Sequence, residues 1–411
     1  MKNSKYYPWL VVALLWIVAL LNYMDRQMLA TMRPSMESDI PELVSGENFG
    51  RLMAVFLWIY ALMSPVSGII ADKLNRKWLI IGSLFVWSAV TYAMGYAKTY
   101  DEIYWLRAIM GVSEALYIPA GLSLIADYHQ QKTRSLAIGI HMTGLYVGSA
   151  LGGFGATIAA RYSWHSTFHH FGIVGVVYSI ILVFFLFEKK TKIFDPEFNK
   201  THEKVSLLKG LALLFTNISF WVILFYFAII SLPGWATKNW LPTLFSDNLG
   251  ISMDQAGPLA TITISFSSLL GVVFGGILSD KWVQKNIKGR IYTSAIGLSL
   301  TIPALMLIGF GHSLLHVVGA VLCFGIGYGM FDANNMPIIC QFVSSKYRAT
   351  AYGILNMTGV GCGALVTSLL GKSADTGNLG YGFSLMAGIV LIALITQISF
   401  LRPKVNDFEE A

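Results

Sequence analysis

The chain has 411 residues, of which 55% are hydrophobic and only 12% are charged. A soluble domain carries about 25% charged residues, so this composition excludes an ordinary soluble protein and favours one surrounded by lipid. The formal net charge is +7, but the basic residues are scattered between apolar stretches and form no basic arm or helix, so we expect no binding to nucleic acid.

The first apolar stretch, from Trp9 to Met24, follows two lysines, as the core of a signal peptide would. It ends in the polar sequence Asn22–Arg26, however, with no small-residue cleavage site, and more apolar stretches follow. We therefore predict a retained first membrane helix.

Twelve stretches are long and apolar enough to cross a bilayer. Their approximate bounds are 8–32, 50–71, 78–97, 103–126, 135–160, 168–187, 213–236, 257–279, 291–311, 315–341, 349–371 and 381–401. We predict an all-α integral membrane protein with twelve transmembrane helices.

One substantial polar segment, from about Glu188 to Lys209, divides the chain near its middle. We predict an N-terminal six-helix bundle over residues 1–187, a cytoplasmic linker over 188–210 and a C-terminal six-helix bundle over 211–411.

The two halves repeat each other. Gly68–Lys73 (GIIADK) returns as Gly276–Lys281 (GILSDK), and Arg134–Gly139 (RSLAIG) returns as Arg348–Gly353 (RATAYG). Two separate repeats at nearly one spacing indicate a duplicated unit. They predict two pseudo-symmetric bundles that face each other across a central cavity.

Most of the 29 lysines and arginines fall on the side of the membrane that would hold both termini. Because cytoplasmic loops are enriched in basic residues, we expect both termini in the cytoplasm and the protein in the bacterial inner membrane. We expect the protein to be surrounded by the lipid bilayer and to be a monomer.

Three cysteines, Cys323, Cys340 and Cys362, lie inside apolar stretches without a CxxC spacing. They imply neither a disulfide framework nor a metal site. The sequence also has no Walker motif, catalytic triad or metal-hydrolase motif. We expect no enzyme activity, metal or organic cofactor, and an ion gradient as the energy source.

Gly68–Lys77 (GIIADKLNRK) resembles the loop between the second and third helices of the major facilitator superfamily, G-x-x-x-D-(R/K)-x-G-R-(R/K). Asn75 stands where that motif has glycine. The resemblance, together with the repeat and the number of spans, covers the whole chain. It implies the two-bundle transporter fold of that superfamily.

Three stretches resemble the organic anion:proton symporters, the group of galactonate and hexuronate permeases and sialin. They are Asn22–Arg26 (NYMDR), Arg107–Ala115 (RAIMGVSEA) and Trp240–Pro242 (WLP). The spinster-type lysolipid transporters share the first of these, and Asn75–Lys77 and Glu114–Tyr117 fit them better. The motifs therefore indicate the mechanism more firmly than the substrate.

Five charged residues lie deep within predicted spans: Asp25, Arg26, Arg107, Glu114 and Asp332. Each costs roughly 2.5–3.5 kcal/mol at the centre of a membrane helix, so such residues are kept where they line a cavity or pair with each other. Arg107 and Glu114 are about two turns apart on one helix face, whereas the adjacent Asp25 and Arg26 point about 100° apart. A purely structural ion network is the alternative interpretation.

These charges suggest how anion and proton transport could be coupled. An arginine beside a buried carboxylate favours the ionised form of that carboxylate, and an anion bound to the arginine would cancel this effect. The carboxylate would then take up a proton. We expect Arg26 and Arg107 to hold the substrate and Asp25 and Glu114 to carry protons, and the resemblance implies the same roles. Sodium is the alternative coupling ion.

Further candidates for substrate binding are polar groups within or beside apolar stretches. Structural roles such as helix packing, interfacial anchoring or support of a helix broken near Pro337 are the alternatives. These candidates are His141, Tyr146, Lys238, Asn239, Asp332, Asn335 and Asn356.

Asp72, Arg76, Lys77 and Asp280 fall at predicted cytoplasmic helix ends. We expect them to form a conformational latch with neighbouring helices rather than to bind substrate.

The sequence thus predicts a secondary active transporter that moves a small organic anion, a sugar acid or related carboxylate, together with protons. A spinster-like lipid transporter is the alternative, and a membrane sensor on a transporter scaffold is a remote third. A lysolipid carrier needs a long apolar groove, whereas a sugar-acid carrier needs hydroxyl partners such as His141, Tyr146 and Asn356.

Overall fold

The computed structural model describes residues 6–129, 131–188, 212, 214–344, 347–403 and 405; at positions 69, 72, 73, 131, 132, 135 and 349 it describes the backbone alone. Within these residues every regular element is a helix. The part of the predicted linker from residue 189 to residue 210 lies outside the described residues, and the predicted boundaries of the two halves stay a prediction.

The described residues of the first half form eight α-helices and one short 3₁₀ helix at Pro41–Val44. The α-helices are α1 (Tyr7–Met36), α2 (Gly46–Lys73), α3 (Arg76–Met94), α4 (Tyr100–Ala115), α5 (Tyr117–Tyr128), α6 (Gln131–Gly152), α7 (Gly155–Tyr162) and α8 (Trp164–Phe185).

The second half follows with seven described helices. They are α9 (Ile218–Leu249), α10 (Met253–Val283), α11 (Gly289–Phe310), α12 (Leu314–Asp332), α13 (Asn335–Cys340), α14 (Arg348–Asp375) and α15 (Leu379–Phe400).

Eleven helical segments among the described residues are long and apolar enough to cross a membrane, with α4 and α5 forming one segment and α12 and α13 another. The pair α6 and α7, bent by 41° at a short break, makes a twelfth. The predicted all-α fold with twelve spans is confirmed.

Local sequence sets the helix ends. Thr99 and Glu102 form a capping box at the start of α4, in which each side chain bonds to the backbone of the other residue. Asn75 caps α3, because its Oδ1 accepts a hydrogen bond from the Trp78 N–H at 3.2 Å. The residue that departs from the superfamily motif therefore satisfies a free donor at a helix start.

Because twelve spans alternate in direction, the first and last described residues lie on one side, which we name the terminus side. The loops after α1, α3, α7, α9, α11 and α14 lie on the other, the far side. On the far side the halves meet through small residues. A Cβ atom added at Gly371 of α14 would lie 2.3 Å from the Gly46 carbonyl oxygen of α2. One added at Gly257 of α10 would lie 2.5 Å from the Gly153 carbonyl oxygen. Only glycine permits such close backbone packing.

A carboxylate reinforces this contact. Asp375, the last residue of α14, accepts hydrogen bonds from the Gly46 N–H, from the Glu47 N–H at 2.9 Å and from the Ser45 hydroxyl at 3.1 Å. A residue of the second half thus caps the N-terminus of α2 in the first half. We name Ser45, Gly46, Glu47, Gly371 and Asp375 the far-side clasp.

Candidate functional site

A buried cluster of charges lies inside the first half. Arg26 Nε of α1 donates to Glu114 Oε2 of α4 at 2.5 Å, and Asn22 Nδ2 donates to the same oxygen at 3.0 Å. Asp25 points to a different neighbour, as adjacent helical positions require, and its Oδ2 accepts from the Thr91 hydroxyl of α3 at 3.3 Å. We name Asp25, Arg26, Arg107 and Glu114 the charge cluster.

Arg107 has a different environment from Arg26. Its side chain is buried, its guanidinium carbon lies 4.6 Å from the centre of the Phe56 ring, and Nη1 donates to Met110 Sδ at 3.2 Å. Among the described residues no carboxylate oxygen lies within 4.0 Å of its guanidinium nitrogens. The guanidinium of Arg26 lies 4.8 Å from the same Phe56 ring. One aromatic ring therefore contacts both buried cations, an arrangement that stabilises positive charge in an apolar setting.

Several polar atoms of this region are buried without a hydrogen-bond partner in the described structure. Buried polar groups in folded proteins are nearly always bonded, so these atoms indicate capacity for water or a ligand. They are Asn22 Oδ1, Arg26 Nη2, Arg107 Nε, Glu114 Oε1 and His141 Nδ1.

A cavity of about 220 Å³ lies between the two halves. Its lining includes four of the predicted substrate-binding residues, Tyr146, Lys238, Asp332 and Asn356. The remaining lining is largely aromatic and hydroxyl-bearing: Tyr23, Met142, Leu145, Ser149, Phe227, Ser231, Gly234, Trp235, Thr237, Ile264, Ser265, Ser268, Phe324, Tyr328, Tyr352, Gly359 and Val360. The cavity is smaller than the roughly 300–1,000 Å³ of pockets for drug-sized ligands, so it suits a small solute.

Lys238 and Asp332 supply the two charges of this cavity. The Lys238 ammonium lies 4.6 Å from the centre of the Trp235 ring and 5.6 Å from that of Tyr23. The Asp332 carboxylate accepts a hydrogen bond from Asn335 Nδ2 at 3.2 Å. Asp332 is the last residue of α12, where the span breaks before α13 begins. The break turns its side chain toward the cavity while the helix backbone stays buried in protein.

Tyr23 joins the charge cluster to the cavity. It lines the cavity, and its ring centre lies 4.9 Å from the Arg26 guanidinium carbon and 5.6 Å from the Lys238 ammonium. A ligand that displaces this ring would reach the guanidinium behind it. The two sites are therefore neighbours separated by one side chain.

Three predicted substrate-binding residues make other contacts. His141 is buried within the first half, where its Nε2 lies 2.8 Å from the Tyr117 hydroxyl. Asn239 donates to the Thr367 hydroxyl at 2.8 Å, between α9 and α14. Asn335 bonds to Asp332 but does not line the cavity. Their predicted direct contact with substrate stays a prediction.

The predicted latch residues lie at the terminus side. Arg76 forms an ion pair with Asp127 at the end of α5, and Lys77 donates to the Val183 carbonyl oxygen at 2.8 Å. Both contacts are within the first half. Asp280 is exposed at the end of α10, and the side chain of Asp72 lies outside the described residues.

Several residues that line the cavity could not be recognised from the sequence. Trp235, Tyr328 and Tyr352 are three of many aromatic residues in the chain, which has 11 Trp, 19 Tyr and 25 Phe. In membrane helices a serine hydroxyl often bonds to the backbone of its own helix, as that of Ser231 does. The presence of a serine such as Ser231 or Ser265 therefore does not by itself indicate a cavity position.

Among the described residues, no three His, Cys, Asp or Glu side chains are grouped so that they could hold a metal ion.

Comparison with known proteins identifies the family. The model of the Major Facilitator Superfamily matches residues 15–368. The chain is 24% identical to the hexuronate transporter of Bacillus subtilis, covering 96% of this chain and 94% of that protein. It is also 24% identical to the 4-hydroxybenzoate transporter PcaK of Acinetobacter baylyi, covering 94% of this chain and 88% of that protein.

Among solved structures, a bacterial homologue of the human lysosomal transporter Spinster, in an inward-facing and unoccupied conformation, has the same fold. Its TM-score is 0.80 at 20% identity, with 100% of both chains covered. The fold and the family match lead to the same assignment. The described residues form twelve spans in two bundles around a central cavity, and the family model matches most of the sequence. The chain is a multi-pass membrane transporter, not an enzyme, and it belongs to the Major Facilitator Superfamily.

Proposed function

We propose that this protein is a secondary active transporter that carries a small organic anion, a sugar acid or related carboxylate, with protons by alternating access. The observation that carries the proposal is the position of Arg107. It is buried, has no carboxylate of the described chain within reach, and keeps a donor nitrogen without a partner. A cation in that condition favours a bound carboxylate as its counter-charge.

The relatives support an organic anion as substrate. The Bacillus subtilis protein is a hexuronate transporter and the Acinetobacter baylyi protein transports 4-hydroxybenzoate. Both substrates carry a single carboxylate on a small ring with hydroxyl groups. The carboxylate first binds in the cavity at Lys238, where Tyr146, Ser231 and Asn356 offer hydroxyl and amide groups for the substrate hydroxyls. It reaches the arginines of the charge cluster when the Tyr23 ring, which separates Lys238 from Arg26, moves aside.

Proton coupling in this proposal uses the charge cluster. The hydrogen bonds that Glu114 accepts from Arg26 and Asn22 favour its ionised form. An anion that engages Arg26 or Arg107 weakens this effect, and burial then favours the protonated carboxyl. Asp25, bonded to a neutral hydroxyl, is the second carrier.

The far-side clasp supports a conformation closed on the far side. If the terminus side is cytoplasmic, as the basic residues suggest, this is an inward-facing state. Transport would then require the clasp to open while the terminus side closes.

The spinster-like fold favours a lipid carrier as the second candidate. The cavity argues against it, because a cavity of about 220 Å³ walled by tyrosine, serine and asparagine offers little room for an acyl chain.

The proposal can be tested by uptake into proteoliposomes with an imposed pH gradient, using D-glucuronate, 4-hydroxybenzoate and a lysophosphatidylcholine as probes. We expect accumulation of at least one of the two acids and its collapse when a protonophore is added. A thermal-shift screen of the purified protein with the same probes gives an independent measure of binding. Stabilisation by the lysolipid alone would make the protein a lipid carrier.

A further inference from the structure

The formal charges around the cavity balance. In the charge cluster, Asp25 and Glu114 offset Arg26 and Arg107, and in the cavity Asp332 offsets Lys238. An anion that binds at Lys238 therefore adds one uncompensated negative charge to the membrane-spanning part of the protein. Such a charge is costly there unless a proton or cation accompanies it.

The three carboxylates differ in how they could receive that proton. Glu114 is fully buried in the first half and already accepts two hydrogen bonds, one from a guanidinium. Asp25 is buried on the side of α1 that faces α3. Asp332 alone among them lines the cavity, where its side chain is exposed.

The hydrogen-bonding neighbours of Asp332 can stabilise both its ionised and its protonated form. Asn335 Nδ2 donates to Oδ1 at 3.2 Å, which supports the ionised form. Across the cavity, a tyrosine hydroxyl such as that of Tyr146 can donate to a carboxylate or accept from a carboxyl, because a phenol does either. Among the described residues that line the cavity, Lys238 is the one lysine or arginine.

The charged and titratable groups around Asp332 belong to five helices. They are Tyr23 of α1, Tyr146 of α6, Tyr226 and Lys238 of α9, Tyr328 of α12 and Tyr352 of α14. On this side α10 contributes only hydroxyls such as that of Ser268, and Arg290 of α11 donates to the Pro337 carbonyl oxygen. At neutral pH the tyrosines are uncharged, so Lys238 is the member of this group whose charge a bound anion would cancel.

We propose that Asp332 is a coupling carboxyl at the substrate itself, which takes up one proton when an anion binds at Lys238. This inference rests on the proposed function, because it needs an anionic substrate. The anion neutralises the lysine that favours the ionised carboxylate, and the carboxylate gains a proton from the water phase to which the cavity opens. The second half would then contribute to coupling alongside Asp25 and Glu114.

The test measures proton uptake on binding. Purified protein in weakly buffered detergent solution with a pH indicator is titrated with D-glucuronate and, separately, with 4-hydroxybenzoate. We expect Asp332→Asn to bind the acid yet to take up about one proton fewer per bound anion than the wild type. Asp332→Ser is measured beside it, and circular dichroism checks that both variants are folded. Asp101→Asn, an exposed change on the far side of the first half, should match the wild type.

Each outcome separates this inference from the proposed function. If the wild type binds neither acid, the proposed function is wrong for these acids and the inference falls with it. If the acid binds and the Asp332 variants take up as many protons as the wild type, only the inference is wrong. If the folded variants bind no acid while the wild type does, Asp332 holds substrate rather than a proton, and the inference is again overturned.

Discussion

Arg107 is a guanidinium buried beside Phe56, with Nε lacking a hydrogen-bond partner. We expect Arg107→Lys to weaken binding of the organic acid at least about tenfold, which corresponds to about 1.4 kcal/mol. Lysine keeps the charge but loses the planar fork that grips a carboxylate through two hydrogen bonds. Isothermal titration of the purified variant measures the change. Unchanged affinity in both Arg107→Lys and Arg107→Ala would give this arginine a structural role only.

Glu114 shares its Oε2 between Arg26 and Asn22. We expect Glu114→Gln to abolish accumulation driven by a pH gradient while exchange of labelled for unlabelled substrate continues, because glutamine keeps the shape but cannot carry the proton. The variant should also melt earlier, since Arg26 loses its partner in a buried ion pair.

Proteoliposome uptake and counterflow measured side by side decide the role of Glu114. Glu102→Gln, at the exposed start of the same helix, is the matched control, because glutamine is also tolerated in a capping box. Normal concentrative uptake by Glu114→Gln would remove this residue from the coupling mechanism.

For single residues, the sequence identified which charged side chains matter, but not which of them lie in the charge cluster and which line the cavity. A charge within an apolar span is conspicuous by type alone. Whether it faces the interior of a bundle or the space between bundles depends on the rotation of each helix about its axis. His141 illustrates the difficulty: it is on the same helix as Tyr146 of the cavity, yet it bonds to Tyr117 inside the first half.

The far-side clasp joins two helices from different halves, α2 and α14. Asp375→Ala leaves the Ser45 cap in place but removes the carboxylate that accepts from the Gly46 and Glu47 N–H groups at the start of α2. The loss of such a capping interaction costs about 1 kcal/mol. We expect the population open on the far side to rise about fivefold. Substrate preference should not change, because the cavity residues are untouched.

Spin labels at Asp101 and His312, both exposed on the far side, would report this opening as a longer distance between the halves. Thr376→Ala is the control, since that hydroxyl bonds only within the second half. A distance distribution unchanged by Asp375→Ala would show that the glycine contacts alone hold the halves together.

At the level of helices, apolar length predicted every span, but not the breaks within spans. The fourth, fifth and tenth spans are each built from two helices. The fourth and fifth spans remain apolar through their breaks, at Leu116 and at Gly153–Phe154, so hydropathy does not register them. Pro337 signalled the break in the tenth span, and the structure has Asp332 at its edge.

For the whole molecule, the orientation in the membrane stays a prediction from the basic residues. We expect a green fluorescent protein fused to the C-terminus to fluoresce in bacterial cells, because it folds in the cytoplasm. Alkaline phosphatase fused at the same position should be inactive, because it needs the oxidising periplasm. Active phosphatase and dark cells would reverse the orientation, and with it the inward-facing assignment.

The two-bundle architecture followed from the internal repeat, because duplicated sequence predicts duplicated structure. The closure of the far side did not follow from it. That closure depends on glycines of different halves meeting, as Gly46 and Gly371 do, and a single sequence does not specify which of its 39 glycines face each other.

The balance between the buried cations and carboxylates has an electrical consequence. A carrier that changes conformation without substrate would move no net charge across the bilayer, so membrane voltage should not affect that step. Each uncompensated charge that does cross changes the energy by about 2.3 kcal/mol per 100 mV. A monoanion carried with one proton would leave the loaded step equally insensitive, whereas a second proton would make it electrogenic. The voltage dependence of uptake therefore counts the protons that accompany each anion.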